Sequence, residues 1–211
     1  ETLNFRTVSQ YTSDGTSYTT YFYDSQGRIE KTLGSQIYSS ITYTSDSALY
    51  REYQVGGSLN NSYSMKLDAA GRFLNDGGQT YQYNSDGTLA KRTFILTPTT
   101  YIVSTWQDGD NVKQETYNSG ALNNTTTYTY YTDKPNKAGW DYNHTGIYCF
   151  FGSASKHLIK KSVTVDKNGV TNNDVDWTYE LDSNGLPKEM KLSFNTLGIF
   201  NTYKYAYELT E

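Results

Sequence analysis

Aromatic and aliphatic residues fall at alternate positions for short stretches of this chain, give way to four or five polar residues, and then resume. Tyr21, Phe22, Tyr23, Asp24, Ser25, Gln26, Gly27, Arg28 and Ile29 read this way, and Tyr81, Gln82, Tyr83, Asn84, Ser85, Asp86, Gly87, Thr88 and Leu89 repeat it. A period of two puts one set of side chains on a single face of a pleated strand. Asp or Asn followed by Ser, an acid or amide, and Gly folds the chain back, because glycine takes positive φ without steric cost. Each copy therefore predicts a β-hairpin.

Weaker copies run Tyr11 to Gly15, Tyr43 to Leu49, Leu67 to Phe73, Trp106 to Val112, Tyr130 to Asn136, Val165 to Gly169 and Leu181 to Leu186. Taking the glycine or its substitute as marker gives positions 15, 27, 47, 71, 87, 110, 134, 169 and 185. Such self-similarity means one supersecondary unit used many times. Where Ser47 and Asp110 stand in for glycine, a looser turn is expected.

The residue two after the marker is apolar (Ile29, Leu49, Phe73, Leu89), and the residue four after it is often basic (Lys31, Arg51, Lys91). In a regular strand these share a face. That combination suits a wet barrel interior or a curved open sheet, with lysine stems lying along tyrosine rings. The expectation is an all-β fold, an antiparallel up-and-down meander of roughly 12 to 16 strands forming a barrel-like or strongly curved sheet. Closure removes the exposed edges of a Thr- and Tyr-rich sheet.

Composition agrees: 22 Tyr and 17 Gly with only 3 Pro favour strands and tight turns over helices. Residues 1–211 are read as one β-repeat domain. From Tyr131 to Ser162 the marker spacing stretches to 35 residues, which predicts an insertion, a long loop or a short helix. Long loops on rigid scaffolds carry contacts.

Around this insertion the chain resembles a known family. Tyr131, Thr132, Asp133, Lys134, Pro135 and Asn136, followed by Phe151, Gly152, Ser153, Ala154, Ser155, Lys156, His157, Leu158, Ile159 and Lys160, are similar to a segment of uncharacterised secreted or lipid-anchored envelope proteins of the Bacteroidetes. The resemblance implies a porin-like fold and brings no catalytic or binding residues with it. The aromatic, acidic, glycine phrase also resembles the tyrosine-aspartate repeats of Rhs-type shell proteins. The family implies a secreted or outer-envelope location, with any lipid anchor on a segment absent from this chain, which shows neither signal peptide nor lipobox cysteine.

Charge narrows the partners. Eighteen basic against 22 acidic residues leave a net charge of -4 with no basic block, which argues against nucleic acid. No run approaches the 18 apolar residues of a membrane-spanning helix, and the polar alternate positions, with a mean hydropathy of -0.73, do not suit a lipid-facing barrel wall. The single cysteine, Cys149, lies in the apolar run Ile147, Tyr148, Cys149, Phe150, Phe151 and reads as buried packing. The acidic turns lack the ordered oxygen ligands of a Ca²⁺ site, so neither metal nor cofactor is expected.

His144 and His157 have no metal-ligand or nucleophile spacing. Asp141, Asp174, Asp176 and Glu180 could form the carboxylate pair of a hydrolase in a barrel mouth, although a chain with 22 acids offers such pairs by chance. Trp106 and Trp177 occupy strand positions and read as packing. Trp140 lies in the insertion beside Asp141, Tyr142, Asn143 and His144. The expectation is a non-catalytic envelope or surface protein that binds a glycan, peptide or protein partner, with Trp140, Asp141, Tyr142 and His144 as ligand-binding residues. The alternatives are a purely structural repeat scaffold or shell, and the carboxylate-pair hydrolase.

Overall fold

The structure, a computed structural model, describes residues 4–12, 18–139 and 151–210. The strands are β1 (Asn4–Thr12), β2 (Tyr18–Tyr23), β3 (Ile29–Gly34), β4 (Ile37–Tyr43), β5 (Ser47–Gln54), β6 (Leu59–Leu67), β7 (Phe73–Asn75) and β8 (Gln79–Tyr83). They continue as β9 (Leu89–Phe94), β10 (Tyr101–Gln107), β11 (Asp110–Asn118), β12 (Ala121–Pro135), β13 (His157–Asp166), β14 (Thr171–Leu181), β15 (Pro187–Phe194) and β16 (Ile199–Thr210). Each pairs antiparallel with its neighbours in sequence, and β1 pairs with β16, so the meander closes into a barrel. No helix occurs among the described residues.

The repeated phrase builds the turns as its chemistry requires. In Asp24–Arg28 the Asp24 carboxylate accepts the N–H groups of Gln26 and Arg28, both at 2.9 Å, while the Gly27 N–H donates to the Asp24 carbonyl. Asp68, Asp166 and Asp182 repeat the pattern on their own turns. Gly27, Gly71, Gly87, Gly169 and Gly185 sit at φ between 76° and 86°, the left-handed region.

The two marker substitutions make tighter turns than expected. Asp108 and Gly109 both adopt positive φ (53° and 89°), so Gln107 pairs directly with Asp110 across a two-residue hairpin. The Ser47 hairpin closes by a Thr44 N–H to Ser47 carbonyl bond of 2.8 Å, and its strands pair without a bulge. The marker at Lys134 is not a turn, because β12 runs on to Pro135.

A second correction concerns the faces. Tyr23 pairs with Ile29 and Phe22 with Lys31, leaving Glu30 as the extra residue of a β-bulge. Ile29 therefore faces the interior, 5 % exposed, and Lys31 faces out with its ammonium over the Phe22 ring. The same step follows Gly71 and Gly87, where Leu67 pairs with Phe73 and Lys66 with Asn75, and where Tyr83 pairs with Leu89 and Gln82 with Lys91; after Ser47 there is no bulge, and Leu49 and Arg51 share the outer face as expected. Lys31 and Lys91 do lie along aromatic rings, but on the outer wall.

The barrel has two unlike ends. At the upper rim stand the turns containing Asp24, Asp46, Asp68, Asp86, Asp108 and Asp182, together with the β12–β13 connection; at the lower rim stand the hairpins joining β3 to β4, β5 to β6 and so on. Ile29, Leu67, Phe73 and Leu89, at the upper-rim ends of their strands, join Met65 and Tyr81 in one core cluster. A second cluster holds Ile159, Val175, Trp177, Met190, Leu192 and Tyr205. Burying side chains such as Met65 and Phe73 stabilises the fold by about 1.5–3 kcal/mol each. Other inward positions are polar and satisfy one another, as in the Thr32–Ser39 and Thr126–Thr164 hydroxyl pairs at 2.6 and 2.8 Å.

Candidate functional site at the upper rim

The predicted insertion is shorter at both ends than its marker spacing suggests. The ends of β12 and β13 take up residues to Pro135 and from His157, leaving 136–156 as the connection. Its described parts, 136–139 and 151–156, are irregular and bonded to the rim. The Asn136 N–H donates to the Lys156 carbonyl (2.8 Å), the Lys156 N–H to the Gly109 carbonyl (2.9 Å) and the Ser153 N–H to the Gly87 carbonyl (3.2 Å). On the other side, the Lys137 ammonium donates to the Asn184 carbonyl at 2.8 Å. One connection is thus tied to the β8–β9, β10–β11 and β14–β15 turns of the upper rim.

Glycine makes this approach feasible. A Cβ on Gly152 would overlap the Gly87 carbonyl oxygen and press on the Tyr83 ring. Beside it Phe151, 3 % exposed, drops into the first core cluster, with ring centroids 5.6 Å from Phe73 and 5.2 Å from Tyr81.

Behind this anchor lies a polar group. Asp110 accepts the His157 backbone N–H at 2.9 Å through one oxygen and meets His157 Nδ1 at 2.8 Å through the other. The Tyr130 hydroxyl donates to the Asn111 carbonyl (2.7 Å), so its oxygen accepts from Ser155 Oγ at 3.0 Å. Ser155 Oγ in turn accepts the Asn111 N–H at 3.3 Å. Both Asp110 and Ser155 are buried, and their bonds serve to fix the start of β13 against the β10–β11 turn. This grouping was missed from sequence because 110, 130 and 155 meet only when the rim is assembled. The visible signal was an acid at 110 where the pattern called for glycine.

The expected ligand-binding residues Trp140, Asp141, Tyr142 and His144 lie outside the described residues, as does Cys149. The structure describes the rim positions that flank them. Next to the connection, Tyr131 donates its hydroxyl to the Trp177 carbonyl (3.0 Å), and Lys134 holds its ammonium 3.8 Å from the Tyr131 ring centroid.

Three of the four expected hydrolase carboxylates sit on the outer wall instead of in the mouth. Lys161 lies 2.9 Å from Asp174 and 3.9 Å from Asp176, and Asn195 Nδ2 bonds both at 3.0 and 2.8 Å. Lys161, the main cause, and Asn195 together lower the Asp174 pKa from its ordinary value. Glu180 pairs with Lys188 at 2.6 Å. Asp141 is outside the described residues. Among the described residues no group of three or more His, Cys, Asp or Glu side chains is arranged to hold a metal ion.

The two strand tryptophans pack as expected. Trp177 is buried in the second cluster with Nε1 3.3 Å from Ser162 Oγ, and the half-buried Trp106 donates to the Leu89 carbonyl at 2.8 Å.

No protein-family model matches the chain, and no curated protein matches it in sequence. Solved structures do match. A porin-like protein from Bacteroides uniformis ATCC 8492 aligns over 99 % of this chain and 98 % of its own, with a TM-score of 0.67 and 13 % identity. A porin-like protein from Bacteroides vulgatus ATCC 8482 aligns over 97 % of this chain and 99 % of its own, with a TM-score of 0.63 and 15 % identity. At this identity the likeness establishes a porin-like fold, the part of the expected family resemblance that the comparisons support. Neither the family models nor the curated proteins support the Rhs-type repeat resemblance.

Proposed function

We propose that the protein is a non-catalytic component of the outer envelope or cell surface that binds a glycan, peptide or protein partner at its upper rim. The observation that carries this reading is the two-sided anchoring of residues 136–156. Trp140, Asp141, Tyr142 and His144 lie in sequence between points fixed at Lys137 and Phe151. Fixing both ends lowers the entropy lost when such a segment engages a ligand. An aromatic beside acid, amide and imidazole groups suits the mixed apolar and polar faces of sugars and peptides. The outer-envelope location rests on the porin-like fold shared with Bacteroides proteins.

The test is the melting temperature of the wild type and of Trp140→Ala against panels of envelope glycans and peptides. A ligand at a hundredfold excess over its Kd stabilises by about 2.7 kcal/mol, enough to move the curve. A shift lost in the variant supports the reading. A flat panel, with a variant that melts far below wild type, makes Trp140 a packing residue and favours a structural scaffold, the reading to which the closed sheet and its packed aromatics also lend themselves.

A further inference from the structure

The large exposed apolar side chains are not scattered over the surface. Val55 (67 % exposed) and Leu59 stand on the β5–β6 hairpin, Leu96 (95 %) on β9–β10, Val170 on β13–β14, and Leu197 and Phe200 (64 %) on β15–β16. All four hairpins belong to the lower rim and are distributed around it. Isolated exposed apolar residues are ordinary, but their concentration on one end of a barrel is not. On the hairpin turns of this end, Asp76, Asp166 and Lys167 are the only charged residues among those described, whereas the upper-rim turns carry Asp24, Arg28, Asp68, Arg72, Asp86 and Asp182 among others.

The outer wall above these tips is layered. Next to the rim come aromatic pairs, Tyr38 stacked on Tyr53 at 4.8 Å and Tyr101 on Tyr117 at 4.6 Å, each continued across the sheet by an exposed leucine, Leu59 and Leu122. Above them Lys31, Arg51, Lys91 and Lys191 each stand three residues from the lower-rim end of β3, β5, β9 and β15. Lys91 and Lys191 reach down over Tyr101 (4.0 Å) and Phe200 (4.5 Å). Glu115 and Asp174 occupy this level elsewhere on the wall, with Asp176 two residues above Asp174 and Lys113 and Lys161 as their partners.

We propose that the lower rim docks end-on into the surface of a lipid bilayer. Apolar tips, then tyrosines, then basic groups reproduce the sequence of hydrocarbon, interface and phosphate met on entering a bilayer. A protein partner would need only the apolar tips; the aromatic and basic tiers add complementarity to a phospholipid surface. The depth is set by the charged level. Three residues of strand span about 10 Å, the depth to which interfacial elements enter, and charged groups on the wall stop the barrel from sinking further. The inference concerns the end opposite the proposed ligand site and does not rest on it.

The experiment is flotation with phosphatidylcholine vesicles, with and without phosphatidylglycerol, using the wild type, Leu96→Asp/Leu197→Asp, and Ser45→Asp on the opposite rim as control. These are exposed turn positions, so matching melting curves will show that the variants fold. Wild type and control are expected to float, and the double variant to partition at least tenfold more weakly. Phosphatidylglycerol is expected to strengthen binding only a fewfold, because acids share the basic level. Phe200→Trp supplies a reporter whose emission should shift to the blue on vesicle addition. Failure of the wild type to float, or an unshifted reporter, would overturn the proposal. So would a lipid-free dimer in sedimentation velocity that the double variant abolishes, since the rim would then be a self-association face.

Discussion

Ile29 and Lys31 stand two residues apart on one strand and face opposite sides of the barrel wall, because Glu30 between them is the unpaired residue of a bulge. The same offset separates Leu89 from Lys91, with Ala90 as the extra residue. This one-residue step buries Ile29 and Leu89 in the upper core and leaves Lys31 and Lys91 on the outer wall.

Removing Thr32 should therefore do far more damage than removing Glu30. Deleting Thr32 lets Glu30 enter the ladder and turns Lys31 toward Tyr21, burying a charge, and is expected to cost more than about 3 kcal/mol or prevent folding. Deleting Glu30 leaves Ile29 and Lys31 adjacent in a regular strand, still on opposite faces, and is expected to cost far less. Urea unfolding followed by tryptophan fluorescence distinguishes the two, and equal effects would contradict the assigned register.

The acidic turns should make the barrel sensitive to acid. For Asp24 and Asp68, partial burial works against ionisation but is outweighed by the hydrogen bonds from Arg28 and Arg72, so both carboxyls titrate below their ordinary value. Asp166 is lowered chiefly by the Val170 N–H and Asp86 chiefly by the Thr88 hydroxyl. A depressed folded pKa gives stability that is fully present above the unfolded value of about 3.9 and lost as pH falls through the folded value. Melting temperature should fall as pH drops below about 4, and Asp24→Asn/Asp68→Asn should flatten that dependence. An unchanged slope would mean that the turn carboxylates are not responsible.

The tyrosines set the opposite limit. Burial, more than any neighbour, pushes Tyr205, Tyr81, Tyr83 and Tyr50 well above the usual phenol range. A raised folded pKa contributes stability that is complete below the unfolded value near 10 and disappears as pH rises beyond it. Phenolate absorbance should therefore rise in two stages, exposed tyrosines first and the buried group only with the loss of folded-state circular dichroism. A single smooth titration of all 22 tyrosines in the folded protein would contradict the burial described.

The connection across the upper rim should be held mainly by Phe151. Phe151→Ala is expected to cost about 3–5 kcal/mol through the cavity left against Phe73 and Tyr81. Gly152→Ala should cost less overall yet open the segment to protease, because a Cβ at φ +86° collides with Gly87. Limited proteolysis with mapping of the cut sites reads this directly, and cleavage confined to other turns would show that the anchor tolerates the methyl group.

Most of the architecture was legible where local chemistry decides structure. Asp24, Gly27 and their counterparts spell turns because the Asp carboxylate and the glycine φ are properties of those few residues. The bulge at Glu30 was not legible, since alternation alone gives no sign that a residue is skipped, and the expected wet face came from that gap. Asp108 and Gly109 read as a substituted copy of the longer turn, although the pair itself carries the tight-hairpin signal. At the rim, Asp110, Tyr130, Ser155 and His157 belong to separate strands and loops, and sequence spacing gives no measure of how those come together.

Closure of β1 on β16 also turns the hairpin registers into a circuit. In an open sheet a slipped strand merely shifts its free edge; in a ring the staggers must add to a fixed total, so an error in one pairing has to be cancelled by an equal and opposite one elsewhere. Single-residue insertions and deletions within the strands are therefore poorly tolerated one at a time, and pairs that offset each other around the ring are the changes a barrel of this kind can absorb.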